Sequence, residues 1–135
     1  MIVVDSSAVI AVALRESGWQ GLNEALGSGP IAIGCPTLLE IRIAISKRRT
    51  RKVDEVMAML MDLENIRLIN FGADHLAWSE IAFERLGKGR GHPAQLNFGD
   101  CMAYAVAKDL DAPLLFKGGD FAKTDIRVHP ASIAA

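Results

Sequence analysis

The chain has 135 residues, 50% of them hydrophobic, and its 15 lysines and arginines nearly balance 16 aspartates and glutamates, for a formal net charge of −1. A chain of this size buries one sizeable core, so we expect one domain over residues 1–135. The near-neutral balance excludes a surface that is basic overall, so any site for a polyanion must be local.

The N-terminal region predicts neither a secretion signal nor a membrane span. Its longest apolar run, residues 8–14, is too short to cross a bilayer, and no basic leader precedes it. We therefore expect a cytoplasmic protein with no membrane partner.

The chain opens with a strand that leads directly into a helix. The β-branched run at residues 2–4 predicts a strand that ends at Asp5. Ser6 and Ser7 can cap a helix that begins at Ala8. The later elements, predicted from apolar spacing and capping residues, are in chain order a helix around 19–26, a strand at 31–33, a helix from 36 to about 47, a helix around 53–63, a strand at 66–69, a helix at 74–86, a helix from the pair Asn97 and Asp100 to about 110, and a strand at 114–116.

Strands and helices alternate without a repeat or a linker. This alternation predicts an α/β fold of three layers (α/β/α), in which a central, mainly parallel sheet is covered on both faces. Ligands of such sheets gather at the carboxyl ends of the strands, where Asp5 would lie. Helices that start near that edge could bring Glu40 and Asp100 beside it.

Three acids stand inside otherwise apolar sequence: Asp5 after Ile-Val-Val, Glu40 within Leu-Leu-Glu-Ile, and Asp100 within Phe-Gly-Asp-Cys-Met. An ionised carboxylate in apolar surroundings is costly unless it is paired or binds a metal, so three such acids suggest one shared cation. Carboxylates are hard oxygen ligands that suit Mg²⁺ or Mn²⁺. A helix-capping role is the alternative for each acid, and is worth ~0.3 to 1 kcal/mol. Capping alone does not explain the apolar neighbours of Asp100.

The cysteines and histidines form no metal-binding pattern. Cys35 and Cys101 lack Cys-x-x-Cys spacing, so we expect two buried thiols. The three histidines show no His-x-x-x-His spacing and read as structural or surface residues. Zinc is therefore disfavoured.

Four segments carry a family pattern along the chain: Val-Asp-Ser-Ser-Ala at 4–8, Pro-Thr-x-x-Glu at 36–40, Leu-Asn-Phe-Gly-Asp-Cys-Met-Ala-Tyr-Ala at 96–105, and Pro-Leu-Leu-Phe-Lys-Gly-Gly-Asp-Phe at 113–121. In this order they resemble a VapC-type PIN-domain toxin across nearly the whole chain. The resemblance implies a PIN-like fold and a Mg²⁺- or Mn²⁺-dependent endoribonuclease, the toxin of a toxin–antitoxin pair with a VapB-like antitoxin. It also implies Asp5, Glu40 and Asp100 as the acidic site residues.

The fourth acidic position departs from the family pattern. Many relatives place an acid three residues before the late Phe, where this chain has Gly118. Asp120 could reach the site because Gly118 and Gly119 permit unusual backbone angles, or it could be a turn residue. Asp125 is a weaker substitute.

Phosphodiester cleavage needs a nucleophilic water and relief of charge on the leaving oxygen, which carboxylate-anchored Mg²⁺ ions can provide. We predict Asp5 and Asp100 as metal ligands. Glu40 could bind a second ion or orient the attacking water. Ser6, at a position where many relatives have Thr, and Thr37 could position water or phosphate through their hydroxyls.

Two basic regions could contact RNA phosphates. The first is the run Lys47, Arg48, Arg49, Arg51 and Lys52, and the second is the Gly-rich loop with Lys88, Arg90 and His92. Charge runs are more often solvated helix ends, so we favour the loop. It is not a P-loop, because Gly-Lys-Ser/Thr is absent.

Apolar helix faces raise the question of partners. Met57, Met59 and Met61 could form an adaptable partner surface, because flexible thioethers suit such interfaces, but we favour core packing for them. We expect Trp19 and Trp78 to anchor packing. An exposed apolar face would suit a homodimer, which we expect, or an antitoxin segment lying in a groove.

Two other functions remain open from the residues. A phosphoacceptor receiver domain has a similar fold, and Lys117 follows the late strand as its lysine would, but a receiver expects an acidic pair where Asp5 stands alone. A catalytically silent RNA- or protein-binding module is the second, because the fold does not fix the function.

Overall fold

The computed structural model describes residues 1–48 and 52–134. The elements are, in chain order, β1 (Ile2–Val4), α1 (Ser6–Ala13), α2 (Trp19–Leu26), β2 (Ile31–Gly34), α3 (Cys35–Ser46), α4 (Val53–Met61), β3 (Ile66–Ile69), α5 (Ala73–Leu86), α6 (Phe98–Asp109) and β4 (Leu114–Leu115), followed by a 3₁₀ turn (Phe121–Lys123). The predicted helices and strands are present. None of the helices in these ranges is long and apolar enough to cross a bilayer.

The four strands form one parallel sheet in the order β3-β2-β1-β4. Ile2 lies opposite Ile31, and Val3 lies opposite Leu114. Because all strands run the same way, their carboxyl ends share one edge, and Asp5 stands there at the centre of the sheet. The strand order reverses beside β1, which is where ligands bind in open parallel sheets.

Helices cover both faces of the sheet, because side chains alternate along each strand. Ile2 and Val4 pack into a core with buried residues of α1, α2, α3 and α4. Val3 packs on the opposite side into a second core, built mainly with α6 and also with α5. The three-layer α/β/α arrangement is therefore confirmed.

The C-terminal segment adds an element that the sequence did not predict. Val128 and Ile133 form single parallel bridges with Leu114 and Lys117. The Gly118 N–H also donates to the Ile133 carbonyl at 2.7 Å. The segment thus covers the outer edge of β4, which would otherwise present unpaired backbone groups.

Three local predictions were wrong. Helix α1 begins at Ser6 rather than Ala8, and Asp5 is its N-cap. Met59 and Met61 are 63% and 42% exposed, so only Met57 packs against the core. Cys35 is exposed at the start of α3, whereas Cys101 is buried as predicted.

Candidate functional site

Asp5 lies where β1 ends and α1 begins. Its Oδ2 accepts hydrogen bonds from the Ser7 backbone N–H at 3.0 Å and from the Ser7 hydroxyl at 2.5 Å. The Ser7 hydroxyl in turn accepts the Lys117 backbone N–H at 3.0 Å. Ser7 therefore fixes the carboxylate against the segment that follows β4.

Ser7, rather than Ser6, is thus the hydroxyl that contacts Asp5. Ser6 is buried, and its backbone N–H helps to lower the pKa of Asp5. Sequence reasoning treated Ser7 only as a possible cap. The partner that distinguishes it, Lys117, is 110 residues away.

Asp100 stands in the first turn of α6 as half of a reciprocal cap. Its Oδ2 accepts the Asn97 N–H at 3.1 Å, and Asn97 Oδ1 accepts the Asp100 N–H at 2.8 Å. The predicted capping pair is confirmed. Asp5 and Asp100 each use one carboxylate oxygen for a helix start, which leaves the other oxygen available for a ligand.

Glu40 reaches towards α6 from the first half of α3. Its carboxylate lies against Gly99, the residue before Asp100. Asp5 Oδ1 and Glu40 Oε1 are both buried and have no hydrogen-bond partner in the part of the chain that the structure describes. Such atoms are costly unless a further donor or a cation completes them.

The acids interact electrostatically. Burial raises the pKa of Asp5 from 3.8 to about 6, against the effect of the Ser7 hydrogen bonds, and the charge of Glu40 raises it further. Burial also raises the pKa of Asp100 to about 7, and the charges of Asp5, Asp120 and Glu40 add to the increase. The metal-free site thus holds several negative groups that disfavour one another's ionised form.

The two candidates for the fourth acid lie in different surroundings. Asp120 is exposed, just before the 3₁₀ turn, and is near enough for its charge to act on Asp100. Asp125 instead accepts the Tyr104 hydroxyl at 2.8 Å and pairs with Lys108 at 2.6 Å. Partial burial raises the pKa of Asp125, but these hydrogen bonds outweigh it and hold the pKa below its usual value. Asp120 is therefore the candidate beside the acids.

The remaining predicted polar residues vary in their placement. Thr37 is buried in the first turn of α3, next to Gly34. Lys117 directs its ammonium group to Glu16, at 3.4 Å, and only its backbone N–H reaches the Ser7–Asp5 pair. This arrangement does not favour a receiver domain, in which the lysine side chain would serve the acid.

The basic loop is tied to the start of α6. The Lys88 N–H donates to the Leu96 carbonyl at 2.9 Å, and the Lys88 side chain is exposed. Arg90 pairs with Glu84 at 2.7 Å. His92 Nδ1 accepts the Ala94 N–H at 3.0 Å and so holds the loop.

The other basic run lies only partly within the described residues. Arg49 and Arg51 lie outside the described residues. Lys47 and Arg48 are exposed at the end of α3, and Lys52 lies 3.9 Å from Glu55.

No three acidic, histidine or cysteine side chains within residues 1–48 and 52–134 already stand as a complete metal-binding set. Asp5, Glu40 and Asp100 are close enough to perturb one another, and their oxygens are the donors that Mg²⁺ and Mn²⁺ prefer. A shared ion would therefore require the carboxylates to move closer together. The donor set and the two unpartnered oxygens fit a hard divalent cation.

Two apolar grooves lie on the surface. The first, the α1–α4 groove, is lined by residues of α1, α2 and α4, with Trp19 and Met59 among them and Arg15 at its side. The second, the α3–α6 groove, lies beside the acids and is lined by Leu39, Glu40, Ile43, Phe98, Gly99 and Met102, among others.

Comparisons with known proteins agree with this geometry. The model of the PIN domain family matches residues 2–127. Ribonuclease VapC42 of Mycobacterium tuberculosis is 37% identical over 127 residues, which cover 93% of this chain and 97% of that protein.

Solved structures show the same fold. The crystal structure of Mycobacterium tuberculosis VapC20, described as a sarcin–ricin loop cleaving toxin, superposes with a TM-score of 0.73 at 19% identity and covers 96% of this chain and all of that one (100%). A toxin–antitoxin complex from Klebsiella pneumoniae superposes with a TM-score of 0.69 at 21% identity, covering 98% of this chain and 100% of that one.

Proposed function

The chain belongs to the PIN-domain family and, within it, to the VapC ribonucleases, and we propose that Asp5 and Asp100, with Glu40 beside them, form the divalent-metal site at which it cleaves RNA. VapC proteins are endoribonuclease toxins of VapBC toxin–antitoxin systems, and the family typically depends on a metal ion. Mg²⁺ is the ion we propose, with Mn²⁺ as a substitute. The protein would act in the cytoplasm, with RNA as its substrate.

One observation carries this proposal: two carboxylate oxygens, Asp5 Oδ1 and Glu40 Oε1, are buried without a hydrogen-bond partner among the described residues. Both acids also raise the pKa of Asp100 through their charges. A group of like charges that lacks a counter-ion is destabilising by itself, so it is explained by a cation that binds there.

Each residue has a separate proposed task. Ser7 holds one oxygen of Asp5, so that the other is directed away from the helix cap. Asp5 and Asp100 serve as metal ligands, whereas Glu40 orients the attacking water or holds a second ion. The ion, when bound, neutralises phosphate charge and activates water.

Three further residues belong to the proposed site. Asp120 would complete the acidic set, since its charge already acts on Asp100. The roles of Ser6 and Thr37 in positioning water or phosphate through their hydroxyls stay predictions.

The decisive experiment compares cleavage of total bacterial RNA by wild type and by Asp5→Asn, with Mg²⁺, with Mn²⁺ and after chelation. Cleavage by wild type alone, and only with a divalent ion, is expected. Calorimetry on the same two proteins should show Mg²⁺ binding to wild type and weaker binding to the variant. Wild type that neither binds the ion nor cleaves RNA would favour the silent-module alternative.

A VapB-like antitoxin is the partner we propose for the α1–α4 groove. Structural neighbours of this chain are toxin–antitoxin complexes. Met59 is exposed at the groove, so Met59→Glu should weaken binding of the purified antitoxin without unfolding the toxin. Leu76→Glu, which changes an exposed leucine of α5, is the control and should leave binding unchanged.

A second copy of the chain is the occupant we propose for the α3–α6 groove. Leu39, Ile43 and Phe98 are exposed there, and Phe98 most strongly, at 82%. Light scattering should give a dimer for wild type and a monomer for Phe98→Ser. A monomeric wild type at the same concentration would contradict the dimer.

A further inference from the structure

Gly99 and the carboxylate of Glu40 occupy adjoining space. A Cβ atom added to Gly99 would lie 1.9 Å from Glu40 Oε2, 2.6 Å from Cδ and 3.0 Å from Oε1. These separations are far below van der Waals contact, so any side chain at position 99 and the present position of Glu40 exclude each other.

The backbone does not require glycine at this position. Gly99 is the second residue of α6, and it is not among the residues with positive φ. Alanine is a better helix former than glycine, so glycine here gives up helix stability. What the missing side chain provides is room for the carboxylate.

We propose that Gly99 is a positioning residue, whose lack of a side chain admits the Glu40 carboxylate to its place beside Asp100. The inference rests on the proposed metal-dependent function and adds a residue to it. A methyl group at position 99 would displace the flexible end of Glu40 rather than the backbone.

The chain offers a matched control. Gly21 lies inside α2, also without positive φ, and a Cβ added there would meet nothing within 4 Å. Gly21→Ala therefore changes helix propensity without moving an acid. Gly99→Ala makes the same chemical change beside Glu40.

The test is a double-mutant cycle on the full chain with four proteins besides wild type: Gly99→Ala, Glu40→Gln, the double variant and Gly21→Ala. Mg²⁺ affinity by calorimetry and RNA cleavage are measured for each, together with the metal-free melting temperature. We expect Gly99→Ala to lower affinity and cleavage by about 10-fold or more, as for loss of a group that orients a metal ligand. Gly21→Ala should behave as wild type.

The double variant separates the proposed cause from others. If Gly99 acts through Glu40, adding Gly99→Ala to Glu40→Gln costs far less than Gly99→Ala costs in wild type. An equal additional loss would overturn the inference, as would wild-type affinity in Gly99→Ala.

The melting temperature tests whether the Glu40 side chain or the backbone moves when position 99 gains a methyl group. Metal-free Gly99→Ala should melt no lower than wild type, and a marked decrease would overturn the steric assignment. Failure of wild type to bind Mg²⁺ would instead contradict the proposed function, so the two failures are distinguishable.

Discussion

Helix α6 lies beside two acids with opposite surroundings: Asp100 in its first turn, and Asp125 of the C-terminal segment, which contacts its second half. At its start, Asp100 lies among Asp5, Glu40 and Asp120, and its pKa is raised to about 7 by burial and by these like charges. Further along, Tyr104 and Lys108 donate hydrogen bonds to Asp125. One helix thus supports an acidic cluster that lacks a cation and an acid whose charge is already compensated.

The difference teaches which acids serve the fold and which serve the reaction. A compensated carboxylate contributes to stability, and its removal leaves its donors without a partner. An uncompensated cluster costs stability in the metal-free protein, and a bound cation would offset that cost. The start of α6, the acidic end, and the contact with Asp125, the paired end, should therefore respond differently to substitution.

Replacement of Asp100 should give the largest effect. We expect Asp100→Asn to lower Mg²⁺-dependent RNA cleavage by about 100-fold or more, because even groups that only orient metal ligands contribute about 10- to 100-fold. The metal-free melting temperature should not fall, since one source of like-charge repulsion is gone. Cleavage near the wild-type rate would remove Asp100 from the site.

The hydroxyl that holds Asp5 should have the next largest effect. Ser7→Ala removes the donor to Asp5 Oδ2 and the acceptor of the Lys117 N–H, so cleavage should fall by about 10-fold or more. Ser46→Ala, which removes a hydroxyl that donates to the Arg42 carbonyl at the end of α3, is the control and should cleave as wild type. Calorimetry should show weaker Mg²⁺ binding for Ser7→Ala alone, and equal losses in the two variants would contradict a special role for Ser7.

The dependence of stability on pH should differ between the two ends. Asp5 and Asp100 have raised pKa values in the folded protein, about 6 and 7 against the ordinary 3.8 of an aspartate, so the folded state keeps protons that the unfolded chain has lost. Metal-free stability should therefore be highest below about pH 4 for these groups and fall as pH rises towards 7, by about 1.4 kcal/mol for each unit of raised pKa.

Melting temperatures at pH 5 and pH 8 check this sign. The double variant Asp5→Asn/Asp100→Asn should lose most of the decrease seen in metal-free wild type.

Asp125 has a lowered pKa, so its contribution to stability has the opposite sign and is lost as pH falls. Saturating Mg²⁺ should raise the stability of wild type at pH 8, because it binds only the folded, ionised site. If the melting temperature of the double variant falls between pH 5 and pH 8 as much as that of wild type, other groups control the pH dependence.

Local sequence predicted one part of this site and could not predict another. Asn97 and Asp100 are three residues apart, a spacing whose cap geometry depends only on the helix that it starts. Asp5 directly follows a β-branched run that predicts a strand, so local sequence also predicts its position at the edge of the sheet. Such predictions need no knowledge of distant segments.

The contacts that orient the acids join distant parts of the chain. Ser7 meets Lys117 only after β4 has paired beside β1, and Glu40 meets Gly99 only after α3 and α6 have packed. Sequence patterns record which residues are apolar but not which helix lies against which. Met59 shows the same limit, because its spacing fits a buried face although it is exposed.

At the paired end, Asp125→Ala should lower stability and leave cleavage intact. Tyr104 is buried, and its hydroxyl would lose its acceptor, which costs about 1–2 kcal/mol. The ion pair with Lys108 adds little, since the Asp125 side chain is 62% exposed. Thermal unfolding and the RNA cleavage assay measure the two effects. Reduced Mg²⁺ affinity in this variant would contradict the assignment of Asp125 to the fold alone.

The loop before α6 also contains one cation with a counter-ion and one without, and the effects expected there are the smallest. Arg90 is compensated by Glu84 at 2.7 Å, whereas Lys88 is exposed and forms no ion pair within the described residues. If Lys88 contacts an RNA phosphate, Lys88→Ala should reduce the slope of log affinity against log salt by about 0.7, the value for one lost contact on a single strand. Arg90→Ala should change the slope less, because Arg90 already has a counter-ion. Metal-free binding to a single-stranded oligoribonucleotide at several salt concentrations measures both slopes. Equal reductions would mean that RNA displaces Glu84 and that both cations bind phosphate, so that a charge paired in the free protein can still serve the substrate.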